Sequence, residues 1–255
     1  TTLDVAIIHG PPGTGKTTTL VQAIKKTVEK ENTVLVTAPS NTAVDLLTER
    51  LHDQGLRVVR VGNISRVDES IIRHTLDVQM SQHPDAKNIK KVKIQAAEAR
   101  RNARKYRRKF GAQEYQERKQ SYKEAGELMA WANQLEERLI HQILDGAQVI
   151  TCTLVGSVSR VLDHKKFRTV FIDEAAQALE PATWIPITKA SRVVLTGDPF
   201  QLPPTVKSRS AAKLGFNITL IEKSLQRLDQ TYLLNTQYRM NEKIMGFSNQ
   251  QFYDN

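Results

Sequence analysis

Eight residues constrain this chain more than any others: Gly10-Pro11-Pro12-Gly13-Thr14-Gly15-Lys16-Thr17 fits the pattern G-x-x-x-x-G-K-[ST]. They sit between an apolar run that reads as a buried parallel strand, Val5-Ala6-Ile7-Ile8, and a helical pattern over 16–30. In that setting glycines let the backbone wrap closely around a polyphosphate with its N–H groups turned inward, and the helix dipole adds to the attraction. The expected ligand is ATP with Mg²⁺. Gly10, Pro11, Pro12, Gly13, Thr14, Gly15, Lys16, Thr17 and Thr18 are the candidate nucleotide-binding residues, with Lys16 on the β- and γ-phosphates and the Thr17 hydroxyl on the metal.

A phosphate loop of this kind needs an acidic metal partner at the end of another strand. Val170-Phe171-Ile172-Asp173-Glu174 supplies one. Asp173 is the expected Mg²⁺ holder, through water, and Glu174 is placed to polarise the attacking water. By itself such a run also reads as a strand end with solvated carboxylates; the glycine-rich loop favours the metal reading. Two further stretches matter. Gly197-Asp198-Pro199-Phe200-Gln201-Leu202-Pro203-Pro204 follows an apolar run at 193–195, and the Gln201 amide is a candidate γ-phosphate sensor on a loop stiffened by prolines. Gln237-Tyr238-Arg239-Met240 offers a guanidinium suited to charge developing on a transferring phosphoryl group, and a ring able to stack on a base. Singly, each of these also reads as an ordinary loop or surface helix.

Other strand patterns fall at 34–36, 57–61, 149–151 and 231–234, and a helical pattern at 42–51. Their alternation predicts an α/β fold: a parallel sheet covered by helices on both faces. The rhythm breaks over 85–142, which has no strand pattern and no proline. Val92, Ala96, Ala99, Ala103, Tyr106 and Phe110 recur at heptad spacing, and after Gly111 a second series runs through Tyr122, Ala125, Met129, Ala132, Leu139 and Ile143, with Glu136 breaking its register. This predicts an antiparallel helical hairpin inserted into the α/β domain, with Gly111 near its tip. A single long helix also fits, since an internal glycine costs only about 1 kcal/mol. The expected boundaries are 1–67 and 147–255 for the α/β domain and 68–146 for the insertion.

Charge marks the same insertion. Residues 87–123 carry fourteen Lys/Arg against three Glu, a net of +11, whereas the rest of the chain is at −1. Such a block suggests phosphate-backbone contact through Arg100, Arg101, Arg104, Lys105, Arg107 and Arg108, although a solvated helical face is the plainer reading. No apolar run approaches the ~20 residues of a membrane span, and no signal pattern opens the sequence. With one cysteine, Cys152, no intramolecular disulfide can form, which suits an intracellular chain with no membrane partner.

The order of these motifs resembles superfamily 1 helicases. The carriers are the phosphate loop, Ala38-Pro39-Ser40-Asn41-Thr42-Ala43-Val44-Asp45, Thr151-Cys152-Thr153, Asp173-Glu174-Ala175-Ala176-Gln177, the Gly197 loop and Gln237 to Met240. The D-E-A-x-Q and Q-Y-R-M forms are similar to those of the up-frameshift-like branch, which includes the nonsense-mediated decay, senataxin and immunoglobulin mu-binding helicases. The resemblance covers 1–67 and 147–255. It implies a RecA-like domain of an ATP-dependent helicase moving 5′ to 3′ on single-stranded RNA or DNA. It further implies that Gln201 contacts the γ-phosphate, that Arg239 is an arginine finger, and that Tyr238 stacks on adenine. Pro39, Ser40, Asn41, Thr151 and Thr153 would line the single-strand track.

Three departures accompany it. Pro199 stands where histidine is frequent in this loop, which removes any hydrogen bond from that side chain. The adenine-reading glutamine expected before the phosphate loop is absent, and so is the second RecA-like domain expected after Arg239. The expectation is therefore a piece of a longer helicase that alone binds nucleotide weakly and does not unwind. Two other readings stand beside it: a nucleic-acid-binding module with a vestigial ATP site, which the intact Lys16, Asp173, Glu174 and Arg239 set opposes, and a P-loop kinase or GTPase, which lacks a guanine-reading Asn-Lys-x-Asp here.

Overall fold

A computed structural model of the chain describes residues 4–104, 111–228 and 231–253. Strands form at β1 (Val5–His9), β2 (Val34–Ala38), β3 (Val58–Arg60), β4 (Val149–Thr153), β5 (Phe167–Ile172), β6 (Ala190–Gly197) and β7 (Thr231–Leu233). They make one sheet in the order β3-β4-β2-β5-β6-β1-β7, with every pairing parallel. Helices are α1 (Lys16–Val28), α2 (Asn41–Asp53), α3 (Leu76–Gln82), α4 (Ala86–Arg104), α5 (Ala112–Gly146), α6 (Glu180–Ile187), the single turn α7 (Arg209–Ala211), α8 (Leu220–Leu225) and α9 (Glu242–Phe252). Among the described residues no helix is long and apolar enough to cross a membrane.

Two compact units result, one of residues 1–75 with 146–255, the other of residues 76–145. In the first, the continuous apolar sequence of β2 is buried at all five positions, as a central parallel strand with both faces covered requires. On one face Leu20, Val21 and Ile24 of α1 and Leu47 and Leu51 of α2 pack on Ala6, Ile8, Val34, Val36, Phe171 and Val194. The alternate residues Ile7, Leu35, Ile172 and Leu195 are buried as well, and α6 packs against β5 and β6. Each such aliphatic side chain contributes about 1.5–3 kcal/mol on leaving water.

The division falls inside the expected insertion on its N-terminal side. A 3₁₀ segment, Glu69–His74, packs on α2 and β3, and Thr75 forms a parallel bridge with Arg60, which keeps 68–75 with the sheet.

In the helical unit, Lys93 Nζ pairs with Glu136 at 2.8 Å and Arg104 bonds the Tyr122 hydroxyl, so positions rise along α4 as they fall along α5. The two helices are antiparallel. On α4 the seam holds, with Val92, Ala96 and Ala103 buried and Ala99 half-buried. On α5 it differs from expectation: Tyr122 and Met129 are exposed, and the inward positions are Ala125, Leu128, Ala132, Leu135 and Leu139. Glu136 does not break this register, because Leu135 fills the place and Glu136 turns to Lys93. Lys105, Tyr106, Arg107, Arg108 and Phe110 lie outside the described residues.

Candidate active site

Because every strand runs the same way, the loops at their C-terminal ends share one edge of the sheet, where α/β proteins bind ligands. β6 lies between β1, which feeds the phosphate loop, and β5, which ends at Asp173. At that edge a cavity of about 1080 Å³ is lined by residues 12–19 of the loop and α1, by Leu46, Arg50, Glu174 and Gln201, and by 233–236 with Tyr238 and Arg239. The structure thus brings Lys16, Thr17, Thr18, Glu174, Gln201, Tyr238 and Arg239 together, from four separate parts of the sequence.

The phosphate loop is closed by its own backbone. Thr14 N–H and Oγ1 both donate to the Pro11 carbonyl, the latter at 2.7 Å, and Gly10 N–H donates to Gly197 O on β6 at 3.3 Å. Lys16 Nζ folds back to donate to Gly10 O at 2.7 Å. Gly15 is the N-cap of α1; no side chain caps this end and no acid lies in its first turn, so its N–H groups face the cavity with nothing competing for an anion.

Asp173 is buried at 4 % exposure at the tip of β5, held by its N–H donating to Thr37 O at 2.9 Å. Burial, and then the neighbouring Glu174 carboxylate, push its acid up to about 7; the Glu174 N–H bond to Oδ1 and the nearby Lys16 and Arg50 charges pull the other way. A buried carboxylate so short of positive charge suits a divalent cation. Glu174 has φ 51° and is the only non-glycine residue with positive φ among those described. Such a conformation costs about 1–3 kcal/mol and is held by packing around it. Gly197 permits that packing: a Cβ there would lie 3.0 Å from Ala176 N, in the turn after Glu174. The Glu174 carboxylate accepts from Gln177 Nε2 at 3.1 Å.

Asp198 is the residue that reading the sequence passed over. Only 2 % exposed, its carboxylate accepts from His9 Nε2 at 3.2 Å, Phe200 N–H at 3.1 Å, Gln201 Nε2 at 2.6 Å and Tyr253 OH at 2.7 Å. Burial alone would raise its acid; the four donors, His9 foremost, outweigh it and hold the carboxyl below the ordinary range. In return, burial and the bond to Asp198 push the Tyr253 phenol upward. Gln201, the expected γ-phosphate sensor, therefore has its amide oriented by Asp198.

The Gln237–Met240 segment is folded by the side chain of its first residue. Gln237 Oε1 accepts from Arg239 N–H and Met240 N–H, both at 2.8 Å, and its amide donates to Met240 O. Tyr238 and Arg239 are left exposed toward the cavity, Tyr238 at 81 %.

The expected strand-contacting residues divide. Pro39 and Ser40 lie at the tip of β2, where Ser40 Oγ caps α2 by accepting from Ala43 N–H at 3.1 Å. Asn41 Oδ1 accepts from the buried Arg60 guanidinium at 2.9 Å, which also pairs with Asp45 at 3.0 Å, so the Asn41 side chain is anchored through its oxygen. Thr153 ends β4, half-buried, and its hydroxyl accepts from Gly156 N–H at 3.0 Å. Thr151 does not belong to the set: it is fully buried within β4, its hydroxyl 2.8 Å from that of Thr48 under α2, and it has no access to a nucleic-acid strand. Arg100, Arg101 and Arg104 are exposed on α4.

A single parallel sheet with a glycine-rich loop on one strand, an Asp-Glu pair two strands away and an amide-bearing loop between them defines a P-loop nucleotide-binding domain of RecA type. The chain matches an AAA domain family over residues 1–209 and a second AAA domain family over 216–255, and it belongs to the up-frameshift-like superfamily 1 helicase domains that carry them. It is 35% identical to the DNA polymerase alpha-associated DNA helicase A of Schizosaccharomyces pombe, over 98% of this chain and 37% of that protein. It is 36% identical to the DNA-binding protein SMUBP-2 of Mesocricetus auratus, over 98% of this chain and 25% of that protein. The ATP-dependent helicase NAM7 of Saccharomyces cerevisiae is 36% identical over 98% of this chain and 24% of its own length. The chain thus spans about a quarter to two fifths of these relatives.

Proposed function

We propose that this chain is the ATP-hydrolysing motor domain of a helicase that moves 5′ to 3′ on single-stranded RNA or DNA, in concert with a second RecA-like domain. One observation carries the reading: Lys16, Glu174, Gln201 and Arg239 line a single cavity, with Asp173 buried at the neighbouring strand tip. The uncapped start of α1 receives the phosphates, and Lys16 exchanges its bond to Gly10 O for phosphate oxygens. Thr17 and Asp173 would hold Mg²⁺, which supplies charge neutralisation at the β- and γ-oxygens. Glu174 accepts a proton from the attacking water, and Gln201, aimed by Asp198, donates to the γ-phosphate. Arg239 stabilises the charge that develops on phosphoryl transfer, and Tyr238 offers its open ring to the base. Pro39, Ser40, Asn41 and Thr153 line the strand path, and Arg100, Arg101 and Arg104 grip phosphates.

The test is ATP turnover by the full-length protein with single-stranded RNA, single-stranded DNA or neither. Turnover stimulated tenfold or more by at least one strand is expected; no turnover under any of the three conditions would overturn the reading.

A further inference from the structure

Thr196 on β6 is fully buried, and its hydroxyl has no hydrogen-bond partner among the described residues. Leaving such a group unpaired costs about 1–3 kcal/mol, a penalty that valine at this position would avoid. Other buried threonines of the sheet are satisfied: Thr151 with Thr48, and Thr169 with Glu31.

The register shows what the Thr196 hydroxyl faces. Val194, two residues earlier, belongs to the cluster beneath α1, so Thr196 points to that face of the sheet. Phe171 belongs to the same cluster, which turns Asp173 to the same face. Ile172 is registered with Leu195, and the next positions along are Asp173 and Thr196. On its other side Thr196 is registered with Ile8, just before the phosphate loop. Adjacent strands lie about 4.8 Å apart, so Thr196 and Asp173 stand at neighbouring positions on the face that carries Lys16 and Thr17.

We propose that Thr196 is a positioning residue of the metal site, its hydroxyl and the Asp173 carboxylate accepting from the same Mg²⁺-bound water. The proposal rests on the MgATP reading above. It assigns the unpaired hydroxyl to the ligated state, where its partner arrives with the metal, and it requires only the oxygen. Serine therefore serves in its place and valine does not.

Thermal unfolding of the full-length protein separates this role from a structural one. Wild type, Thr196→Val, Thr196→Ser and Lys16→Ala are melted without ligand, with ATP and EDTA, and with ATP over a Mg²⁺ titration. Without ligand, Thr196→Val is expected to melt at or above the wild-type temperature, because a methyl replaces an unpaired hydroxyl. Its Mg²⁺-dependent shift is expected to need about tenfold more Mg²⁺, with Thr196→Ser close to wild type. The same Mg²⁺ midpoint in wild type and Thr196→Val would overturn the proposal, and so would a lower ligand-free melting temperature in Thr196→Val with its Mg²⁺ response intact. If wild type shows no MgATP shift, or Lys16→Ala keeps it in full, the site reading itself falls and the Thr196 role with it.

Discussion

The backbone N–H of Tyr238 donates to the carbonyl of Gly13 at 2.9 Å, which ties the tip of the phosphate loop to the segment that presents Arg239. The contact needs glycine. Gly13 has φ +77°, and a Cβ there would lie 2.8 Å from Arg239 Cβ and 3.1 Å from Gln237 Oε1. Gly13→Ala is expected to lower stability by about 1–3 kcal/mol and to reduce ATP turnover more than tenfold as Arg239 is displaced. Urea unfolding and steady-state hydrolysis check the two effects. Unchanged values for both would show that this junction yields freely.

Glu174 is expected to matter for chemistry and not for binding. Glu174→Gln keeps the size of the side chain and can still accept from Gln177, but it cannot take a proton. Hydrolysis is expected to fall by about 10²- to 10⁴-fold while ATP affinity stays within about twofold. Isothermal titration beside single-turnover hydrolysis measures both, and normal turnover would remove Glu174 from the role of base.

The Asp198 cluster makes a pH prediction with a definite sign. Its carboxyl is held below the ordinary value of about 3.9 by donors present only in the fold. The stability these contacts give is therefore complete above about pH 4 and is lost as the pH falls through the lowered folded value. Asp198→Asn is expected to cost about 2–4 kcal/mol at neutral pH, given several charge-assisted bonds, and to make the acid limb of the stability curve shallower. Denaturant unfolding from pH 2 to 7 decides it. Parallel curves below about pH 4 would exclude Asp198 as the titrating group.

Replacing Arg100, Arg101 and Arg104 together by alanine leaves the stability of the sheet unit untouched, since all three are exposed on α4. Their loss is expected to lower single-strand affinity and to reduce the slope of log affinity against log salt by about 2, at roughly 0.7 per phosphate contact. An unaltered slope would assign this face to solvation or to a protein partner.

What the sequence made legible is what depends on short range. The loop from Gly10 to Thr17 and the Asp173-Glu174 pair announce themselves through local residue types next to apolar runs, and a parallel sheet follows from their alternation with helices. Asp198 was not legible, because its meaning comes from His9, 189 positions away, and from Tyr253, 55 positions away. The place of Thr151 is hidden for a related reason: the motif gives its neighbourhood, but only the strand register shows that it points at Thr48 of α2. On α5 an ambiguous helical pattern let Tyr122 and Met129 stand in for Leu128 and Leu135; contact with a facing helix, which heptad counting does not contain, settles the choice.

The anchoring of the 76–145 unit has a consequence for how such chains diversify. Its two connections are fastened at opposite ends of β3, the three-residue outermost strand, by the Thr75 bridge to Arg60 and by Arg57 Nε donating to Gly146 O at 2.7 Å. Exit and re-entry are therefore held at the same margin of the sheet, whatever lies between them. Ring-closure entropy grows only logarithmically with the length enclosed, so an excursion at this margin can be lengthened, shortened or recharged with little penalty to the sheet.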